Sequence, residues 1–333
     1  MKRILMLATG GTIASKECGD GLRPAITSEE ILNYVPSVGK LCQVEAVQIM
    51  NLDSSNVGPS HWLEMAAAIR ANYDKYDGFV ITHGTDTMAY TAAALSYLIQ
   101  DSPKPIVITG SQKSICLHDT DARMNLYNSF LYACDRDSHE VSLVFDGKVI
   151  LGTRARKERT KSFNAFSSVD YPEIAVIRDG RLIRYLAPRP YAYGAEPVFY
   201  DKLEQRVLLL TLIPGMGAEA LHQLQDKYEA LILQSFGVGG LPGGGGGALS
   251  TAIGEWLEAG KTIVMMTQVP YEGSDMSVYQ VGQQVKEKYQ LMEAYNMTLE
   301  AAATKLMWVL GQTKEPARVR ELFDRPVEND LIR

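Results

Sequence analysis

A repeated unit constrains the fold of this chain more than any other feature of its sequence. In each unit a short apolar run ends in Gly, Ser, Thr or Asp, and four such tips occur at 9–12, 51–56, 82–87 and 109–112. Three of the four lead into a plain helical pattern, and this strand–helix alternation indicates βαβ units with a mostly parallel sheet. Because right-handed crossovers bring such strand ends to one edge, we expect all four tips where open α/β folds bind ligands.

The first unit begins with a run at 4–9 in which five of six residues are apolar, which predicts a strand buried on both faces. Gly10 and Gly11 then allow a sharp turn, and Thr12 follows directly. The polar, glycine-rich segment 15–24 is expected to be a mobile loop that covers this turn. The turn lacks both Gly-x-Gly-x-x-Gly and the Gly-Lys-Ser/Thr of a P-loop. A plain glycine-rich βα loop is the other interpretation.

The pattern changes after the fourth tip. Asp-Gly pairs at 146–147 and 179–180 lie between short apolar runs and predict two β-hairpins. Between these pairs, the segment 152–161 carries five basic residues, Lys157 among them. Such a run of charge is most often a solvated surface, although Lys157 is also available to a site.

The second part of the chain predicts a second domain. Residues 188–205 begin Pro-rich and lack periodicity, which is typical of a linker. Another strand–helix region follows, with a glycine-rich tip at 237–247. We therefore predict an α/β protein of two domains. A larger N-terminal domain (1–187), with a mostly parallel sheet flanked by helices, is joined by the linker (188–205) to a smaller C-terminal parallel α/β domain (206–333).

Composition argues against several kinds of partner. The net charge of −6 gives no electrostatic reason to expect nucleic acid or an anionic membrane. Four scattered cysteines without a Cys-x-x-Cys pair argue against a zinc site and indicate reduced thiols in the cytosol. The N-terminus runs directly into a strand rather than a signal peptide, and no apolar run reaches the roughly 18 residues of a membrane span. We expect a cytoplasmic protein without a metal.

The tips carry side chains that suit acyl transfer. A threonine hydroxyl is a weak acid and needs an adjacent base to become a nucleophile. The five histidines offer no Ser–His pairing, and His83 is equally interpretable as a structural hydrogen-bonding residue. A lysine buried beside a carboxylate can serve as the base instead, because burial lowers the pKa of an ammonium group. Thr85, Asp86 and Lys157 are thus a candidate relay, with Thr12 as an alternative nucleophile.

The remaining tip residues suggest how an amino acid would be held. Asp53 and Asp86 can meet an ammonium group, whereas Ser54 and Ser55 suit a carboxylate. The other interpretation of the same residues is that polar tips only cap helices. The residues alone favour neither interpretation over the other.

Two longer motifs identify a family that the chain resembles. They are Thr-Gly-Gly-Thr-Ile-Ala at 9–14 and Asp-Gly-Phe-Val-Ile-Thr-His-Gly-Thr-Asp-Thr-Met at 77–88, in the family's order and at its distance. Supporting matches lie at 50–56, at 108–112, at 235–239 and at Lys157 after 152–154. Over essentially its whole length the chain resembles the bacterial L-asparaginases of the Thr-nucleophile family, and more closely their cytoplasmic type I branch.

The resemblance implies an L-asparagine amidohydrolase that needs no metal and no cofactor. Thr12 would attack the side-chain amide carbon to give an acyl-enzyme and ammonia, and water would then release L-aspartate. Thr85, Asp86 and Lys157 would activate the nucleophile or the water, and backbone N–H groups would form an oxyanion hole. The resemblance also implies a homodimer or a homotetramer built as a dimer of dimers, and it allows a weak glutaminase side activity. The residues that would bind the substrate are Asp53, Ser54, Ser55, Thr85, Asp86 and Ser111.

Several positions depart from the family pattern. Many relatives carry a tyrosine in the loop after the nucleophile, where this chain has Leu22, so we predict no catalytic tyrosine. Gly240 stands where relatives have an asparagine that reaches a neighbouring protomer's site. The periplasmic enzymes also use a glutamate of the second domain, and Glu272 or Asp275 is available here for that role. Two further differences, at the allosteric asparagine site of some type I enzymes, are Arg156 and Gln234, and we predict no such regulation.

Two other functions are compatible with the same catalytic domain. One is the ammonia-generating subunit of a tRNA-dependent amidotransferase, which normally carries an extra N-terminal domain, whereas the first strand here starts at Lys2. The other is a non-catalytic amino-acid sensor on the same fold. The complete set of relay residues argues against a sensor, because binding alone does not need it.

Overall fold

The polar tips lie at one edge of a large sheet in the first of two units. The computed structural model describes residues 1–18, 21–24, 26–187, 196–243, 247–278 and 280–332, and it divides into Met1–Asp201 and Lys202–Arg333. The strands of the first unit are β1 (Arg3–Gly10), β2 (Ser15–Cys18), β3 (Gly21–Pro24), β4 (Gln43–Leu52), β5 (Gly78–Thr82), β6 (Ile99–Gln100), β7 (Ile106–Thr109), β8 (Val141–Phe145), β9 (Lys148–Leu151), β10 (Ala155–Lys157), β11 (Phe166–Ser168), β12 (Ala175–Arg178), β13 (Arg181–Arg184) and β14 (Val198–Phe199). Its α-helices are α1 (Ser28–Asn33), α2 (Pro59–Asn72), α3 (Met88–Leu98) and α4 (Ala122–Cys134), and short 3-10 helices cover Thr12–Ala14, Pro36–Lys40, Ser54–Asn56 and Tyr73–Lys75.

Eight strands form the main sheet, in the order β13-β12-β9-β8-β7-β5-β1-β4. The five strands from β4 to β8 along this order are parallel, while β9, β12 and β13 extend the sheet as antiparallel strands. Because β1, β4, β5 and β7 run in the same direction, the four polar tips that follow them share one edge. The predicted α/β class with a mostly parallel sheet is confirmed.

Apolar runs bury this sheet on both faces. On one face, Ile4, Met6 and Val80 share a core with Ile31 of α1 and Phe130 of α4, and all five side chains are buried. Each such side chain stabilises the fold by roughly 1.5–3 kcal/mol when it leaves water. A strand covered on both faces therefore reads as a continuous apolar run rather than as an alternating one.

Local signals in the sequence fix several turns and helix starts. Asp146 and Gly147 have φ of 50° and 72°, and the pair at 179–180 has φ of 50° and 67°, as tight hairpin turns require. Both predicted hairpins, β8–β9 and β12–β13, are confirmed. At the start of α1 the Thr27 hydroxyl accepts from the Glu30 N–H while the Glu30 carboxylate accepts from the Thr27 N–H, and this reciprocal pair forms a capping box.

Two parts of the first unit differ from the predictions. The segment 15–24, predicted to be a loop, contains the antiparallel pair β2–β3, because pairing satisfies backbone groups that a loop would leave to water. Gly19, Asp20 and the side chain of Leu22 lie outside the described residues. Within the predicted linker 188–205, β14 pairs with β6, and residues 188–195 lie outside the described residues.

The second unit contains the smaller parallel sheet that the sequence predicts. Its strands are β15 (Val207–Thr211), β16 (Ala230–Ser235), β17 (Thr262–Thr267) and β18 (Met292–Glu293), paired in parallel in that order. Its helices are α5 (Glu219–Leu224), α6 (Ala248–Glu258), α7 (Gln280–Tyr289), α8 (Leu299–Gln312) and α9 (Pro316–Asp324), with a 3-10 helix at Gln225–Lys227. The sequence prediction missed α7 and β18, since two residues cannot show a period and α7 is rich in Gln, Lys and Glu. In the described parts of the chain, no helix combines the length and the apolar character needed to cross a membrane.

Candidate active site

Glycines bring the strand tips into direct contact. Gly10 and Gly11 have φ of 100° and 79°, a backbone region that side chains disfavour. A Cβ atom on Gly11 would lie 2.4 Å from the backbone nitrogen of Gly84, and one on Gly10 would lie 2.6 Å from that of Leu52. A Cβ atom on Gly84 would in turn lie 2.7 Å from the hydroxyl of Ser54. The tips of β1, β4 and β5 therefore pack at distances that only glycine permits.

This packing places Thr12 next to the tip of β5, because the preceding residue, Gly11, contacts Gly84. Thr12 is half-buried at the start of a 3-10 helix, and within the described ranges its hydroxyl has no hydrogen-bond partner. The residues around it are fixed instead: the Thr9 hydroxyl donates to the Thr82 carbonyl at 2.8 Å, and the Ser15 hydroxyl donates to the Gly11 carbonyl at 2.9 Å. The backbone around Thr12 is thus held by the hydrogen bonds of its neighbours.

Lys157 contacts two residues at the tip of β5. Its Nζ atom donates to the Thr85 hydroxyl at 2.8 Å and forms an ion pair with the Asp86 carboxylate at 2.6 Å. The Thr85 side chain is buried, the Lys157 side chain is 14% exposed, and the Asp86 side chain is 67% exposed. The structure thus brings these three predicted site residues together, and Asp86 faces solvent from which a substrate could approach.

The basic segment 152–161 is not a uniform solvated surface. Its residues 155–157 form β10, which pairs with β11 and so directs Lys157 towards the tip of β5. Arg154 is fully buried, and its guanidinium lies 5.7 Å from the centre of the Tyr171 ring. The interpretation as a solvated run is therefore wrong for these two residues, because pairing with β11 folds that part of the segment inward.

The tip of β4 carries the residues that the sequence assigned to substrate binding. Hydrogen bonds from the Ser55 N–H and hydroxyl, at 2.9 and 2.8 Å, lower the pKa of the Asp53 carboxyl. Ser54 is buried, its hydroxyl accepts from the Asp86 N–H at 3.3 Å, and its carbonyl accepts from the Thr87 hydroxyl at 2.7 Å. Asp53 therefore caps the short helix 54–56, while Ser54 joins the tips of β4 and β5.

The tip of β7 is held by an acidic residue that the sequence did not reveal. Ser111 is fully buried and its hydroxyl donates to the Lys113 carbonyl, so that hydroxyl is engaged within its own turn. The Asp121 carboxylate accepts from the backbone N–H groups of Gln112 and Lys113 at 2.9 and 3.1 Å. Burial raises the pKa of the Asp121 carboxyl, although these hydrogen bonds oppose that effect. The side chain of Gln112 also reaches Thr85, and only its place within the 108–112 motif pointed to it.

His83 is a structural residue in the tip of β5. Its Nδ1 lies 2.7 Å from the Gly84 carbonyl oxygen, and its Nε2 lies 2.9 Å from the Thr91 hydroxyl, which accepts in turn from the Trp62 indole N–H at 3.0 Å. Because a carbonyl only accepts, these partners place the single ring proton on Nδ1. Burial lowers the pKa of His83 to about 4, despite the hydrogen bond to Gly84. Of the two interpretations left open for His83, the structure supports the hydrogen-bonding one.

The candidate residues of the second unit have local partners. The Asp275 carboxylate accepts from the Ser277 hydroxyl and from its N–H, and these hydrogen bonds lower the pKa of Asp275. Gln234 accepts from the Thr211 hydroxyl at 2.7 Å, and Glu272 has φ of 73° in the turn after β17. Gly240 pairs with Phe236 in an isolated bridge. Throughout the described residues, no group of three or more His, Cys, Asp or Glu side chains is arranged to hold a metal ion.

Known proteins are similar to this chain in sequence and in fold. The family model described as "Asparaginase, N-terminal" matches residues 3–190, and that described as "Glutaminase/Asparaginase C-terminal domain" matches residues 206–323. The L-asparaginase of Thermococcus kodakarensis is 35% identical over 99% of both chains, and its solved structure superposes with a TM-score of 0.91. The solved L-asparaginase I of Vibrio cholerae is 29% identical over 99% of both chains, with a TM-score of 0.87.

A second kind of relative is also present. One component of the glutamyl-tRNA(Gln) amidotransferase of Pyrococcus furiosus is 34% identical, with 96% of this chain aligned to 74% of that protein. The two family models together cover most of the chain, and the Thermococcus kodakarensis relative is 35% identical over 99% of its length. On this evidence, the chain whose tips converge around Thr12 and Thr85 belongs to the asparaginase family.

Proposed function

We propose that the protein is an L-asparaginase that hydrolyses L-asparagine to L-aspartate and ammonia. The observation that carries this proposal is the contact of Lys157 with Thr85 and Asp86, at 2.8 and 2.6 Å, beside the glycine-packed tip that presents Thr12. A free hydroxyl, a neighbouring amine and a carboxylate are the groups that hydroxyl-based acyl transfer requires. The proposed enzyme uses no metal and no cofactor.

In the proposed first half-reaction, Thr12 is the nucleophile. Its hydroxyl oxygen bonds to the side-chain amide carbon of asparagine, the carbon–nitrogen bond breaks, and the hydroxyl proton leaves with the nitrogen as ammonia. Backbone N–H groups that donate to the developing oxyanion typically supply ~3–4 kcal/mol of transition-state stabilisation. The product of this step is an ester between Thr12 and the aspartyl group.

In the proposed second half-reaction, water attacks the carbonyl carbon of that ester. The bond to the Thr12 oxygen breaks, one proton of the water returns to that oxygen, and aspartate leaves. Thr85 and Lys157 take up and return the proton in both steps, with Lys157 acting as the neutral amine when it accepts. Their oxygen and nitrogen lie within hydrogen-bond distance. Asp86 keeps Lys157 in place through the ion pair and remains exposed enough to contact substrate.

In the proposed complex, charge and hydrogen bonding orient the substrate. The carboxylates of Asp53 and Asp86 are available to an α-ammonium group, and Ser54 and Ser55 would hold the α-carboxylate. Ser55 would then exchange its hydrogen bonds to Asp53 for hydrogen bonds to the substrate. Ser111, at the neighbouring tip, would contribute through its backbone to the side-chain amide, since its hydroxyl is used within the turn. We further propose a homodimer or homotetramer that acts in the cytoplasm.

The test is ammonia release from L-asparagine and L-glutamine by the wild type, Thr12→Ala and Thr85→Ala. We expect the wild type to favour asparagine, and both variants to lose at least roughly 10²-fold in kcat while they remain folded. A wild type that releases ammonia from neither amide would contradict the proposal. A Thr12→Ala variant with full activity would show that another residue is the nucleophile.

A component of a tRNA-dependent amidotransferase is a second candidate, since a relative named as part of such an enzyme aligns with 96% of this chain. Selectivity separates the two candidates. A pocket that differs by one methylene changes binding by only ~1–3 kcal/mol, so kcat/KM must be measured for both amides on the isolated chain. A clear preference for glutamine would favour the amidotransferase component over the asparaginase.

A further inference from the structure

One glutamine connects parts of the candidate relay that are distant in sequence. The Thr85 hydroxyl donates to the Gln112 side-chain oxygen, Oε1, at 3.2 Å. The Gln112 side-chain nitrogen, Nε2, donates to the backbone carbonyls of Arg159 and Ser162, at 3.3 and 3.1 Å. Those two carbonyls belong to the loop that begins directly after Lys157 at the end of β10. Gln112 therefore touches both Thr85 and the segment that carries Lys157.

The partners of Gln112 determine which way its amide faces. A backbone carbonyl only accepts hydrogen bonds, so the two carbonyls of the loop require Nε2, and Oε1 is left facing Thr85. Thr85 has a single hydroxyl proton, and donating it to Oε1 leaves only lone pairs for other partners. The Lys157 ammonium uses one of these lone pairs at 2.8 Å. The hydrogen bonds thus run in one direction, from Lys157 through Thr85 to Gln112.

The backbone of Gln112 is itself firmly placed. Its N–H donates to the Asp121 carboxylate at 2.9 Å, and the Asn125 side chain donates both to that carboxylate, at 3.2 Å, and to the Gly110 carbonyl, at 3.0 Å. Asp121 and Asn125 are buried at the start of α4. A side chain on such a support can hold its partners within the narrow range of geometry that proton transfer needs.

We propose that Gln112 is a positioning residue that sets the geometry between Thr85 and Lys157, an inference that rests on the proposed function. Its oxygen fixes the rotation of the Thr85 hydroxyl so that a lone pair faces Lys157. Its nitrogen ties down the loop after Lys157 and so keeps the ammonium within reach of Thr85. Gln112 acts through these two residues rather than on the substrate.

The principal variant is Gln112→Met, which keeps the length of the side chain but removes its donor and acceptor. We expect kcat for ammonia release from asparagine to fall roughly 10- to 100-fold, with KM little changed, because Thr85 and Lys157 lose alignment while substrate contacts remain. The matched control is Gln225→Met in the second unit, whose amide also donates to a backbone carbonyl, that of Glu255 at 2.9 Å. The control should keep full kcat.

A double-mutant cycle then tests whether Gln112 acts through Thr85. The variant Thr85→Ala/Gln112→Met should be no slower than Thr85→Ala alone, since the group that Gln112 positions is already absent. Losses that multiply in the double variant would overturn the inference. So would a Gln112→Met variant whose unfolding free energy falls but whose kcat per folded molecule is unchanged.

A conservative variant gives a readout that a purely structural role would not produce. In Gln112→Glu, an ionised carboxylate would face the two loop carbonyls, whereas a protonated one can donate to a carbonyl and accept from Thr85. We expect its kcat, relative to the wild type, to rise as the pH is lowered. A constant ratio across pH would contradict the inference. A wild type without activity on either amide would instead remove the proposed function, and the inference with it.

Discussion

The ammonium of Lys157 lies 2.8 Å from the hydroxyl oxygen of Thr85, a contact between residues 72 positions apart in the chain. It exists because β10 pairs with β11, which turns the end of β10 towards the tip of β5. The same ammonium meets the Asp86 carboxylate at 2.6 Å, so its position is fixed from two sides. We therefore expect removal of Lys157 to leave Thr85 and Asp86 without the amine that joins them.

Replacing Lys157 by methionine should abolish the relay while the fold persists. We expect Lys157→Met to lower kcat for asparagine roughly 10²–10⁴-fold, the usual range for a group that transfers protons. The control is Lys161→Met, which removes an exposed lysine from the same segment and should leave kcat unchanged. Equal activity in the two variants would contradict a role for Lys157 in the reaction.

Placing a methyl group on Gly11 should disrupt the contact between two tips. A Cβ atom there would lie 2.4 Å from the Gly84 nitrogen, and φ of 79° adds backbone strain. We expect Gly11→Ala to lower the free energy of unfolding by roughly 2–5 kcal/mol and kcat by about 10²-fold. Gly39→Ala is the control, because nothing lies within 4 Å of its Cβ position. Denaturant titration measures the free energy of unfolding, and ammonia release measures kcat. A Gly11→Ala variant with the stability and activity of the wild type would refute the close contact.

Burial of His83 predicts a specific loss of stability in mild acid. The pKa of His83 is about 4 in the folded protein, against an ordinary value of 6.5. Between these values the unfolded chain binds a proton that the folded one does not. The contribution of His83 to the free energy of unfolding is therefore fully present above pH 6.5 and is lost as the pH drops towards 4. The loss amounts to about 3 kcal/mol. The unfolding free energy of the wild type should fall with pH over this range, and His83→Gln should lack the part of the fall that His83 causes. The control His118→Gln, at an exposed histidine, should show the same fall as the wild type. A fall in His83→Gln identical to that of the wild type would show that His83 does not contribute.

The second unit depends on an ion pair with no exposure to water. Lys305 and Asp330 are fully buried, 2.7 Å apart, and the Lys305 ammonium also donates to the Arg325 carbonyl at 2.7 Å. We expect Lys305→Met to lower the free energy of unfolding by roughly 3–5 kcal/mol, because Asp330 would keep a buried charge without its counter-ion. Lys305→Met/Asp330→Leu should recover part of that loss. The control is Arg318→Met, which breaks an exposed pair with Glu321 and should change stability by less than about 1 kcal/mol.

Where the sequence predicted structure well, the signal was local. The run at 4–9 predicted β1, since a strand buried on both faces is a continuous apolar run. The Asp-Gly pairs predicted two hairpins, since both turn residues have positive φ. The tips and their common edge followed from the parallel order of the strands. The β10–β11 and β2–β3 pairs escaped prediction because each joins strands of only three or four residues, which are too short to show a period.

The contacts of three other site residues could not be predicted from the sequence pattern. Nothing near Gln112 in the sequence indicates that its amide links Thr85 to the loop after Lys157, because that geometry exists only after three separate elements assemble. The buried carboxylate of Asp121, which supports the same tip, left no local signal either. The burial of Arg154 likewise depends on a ring, that of Tyr171, outside the basic segment.

The glycine contacts between the tips make enzymatic activity a reporter of strand alignment. Gly10 meets the end of β4 and Gly11 meets the end of β5, so Thr12 reaches its place only when β1 is in register with both neighbours. A slip of one residue in either pairing would exchange the faces of the strand and displace the hydroxyl. During refolding, activity should therefore return together with the correct pairing of the central strands and not with the earlier gain of helical signal.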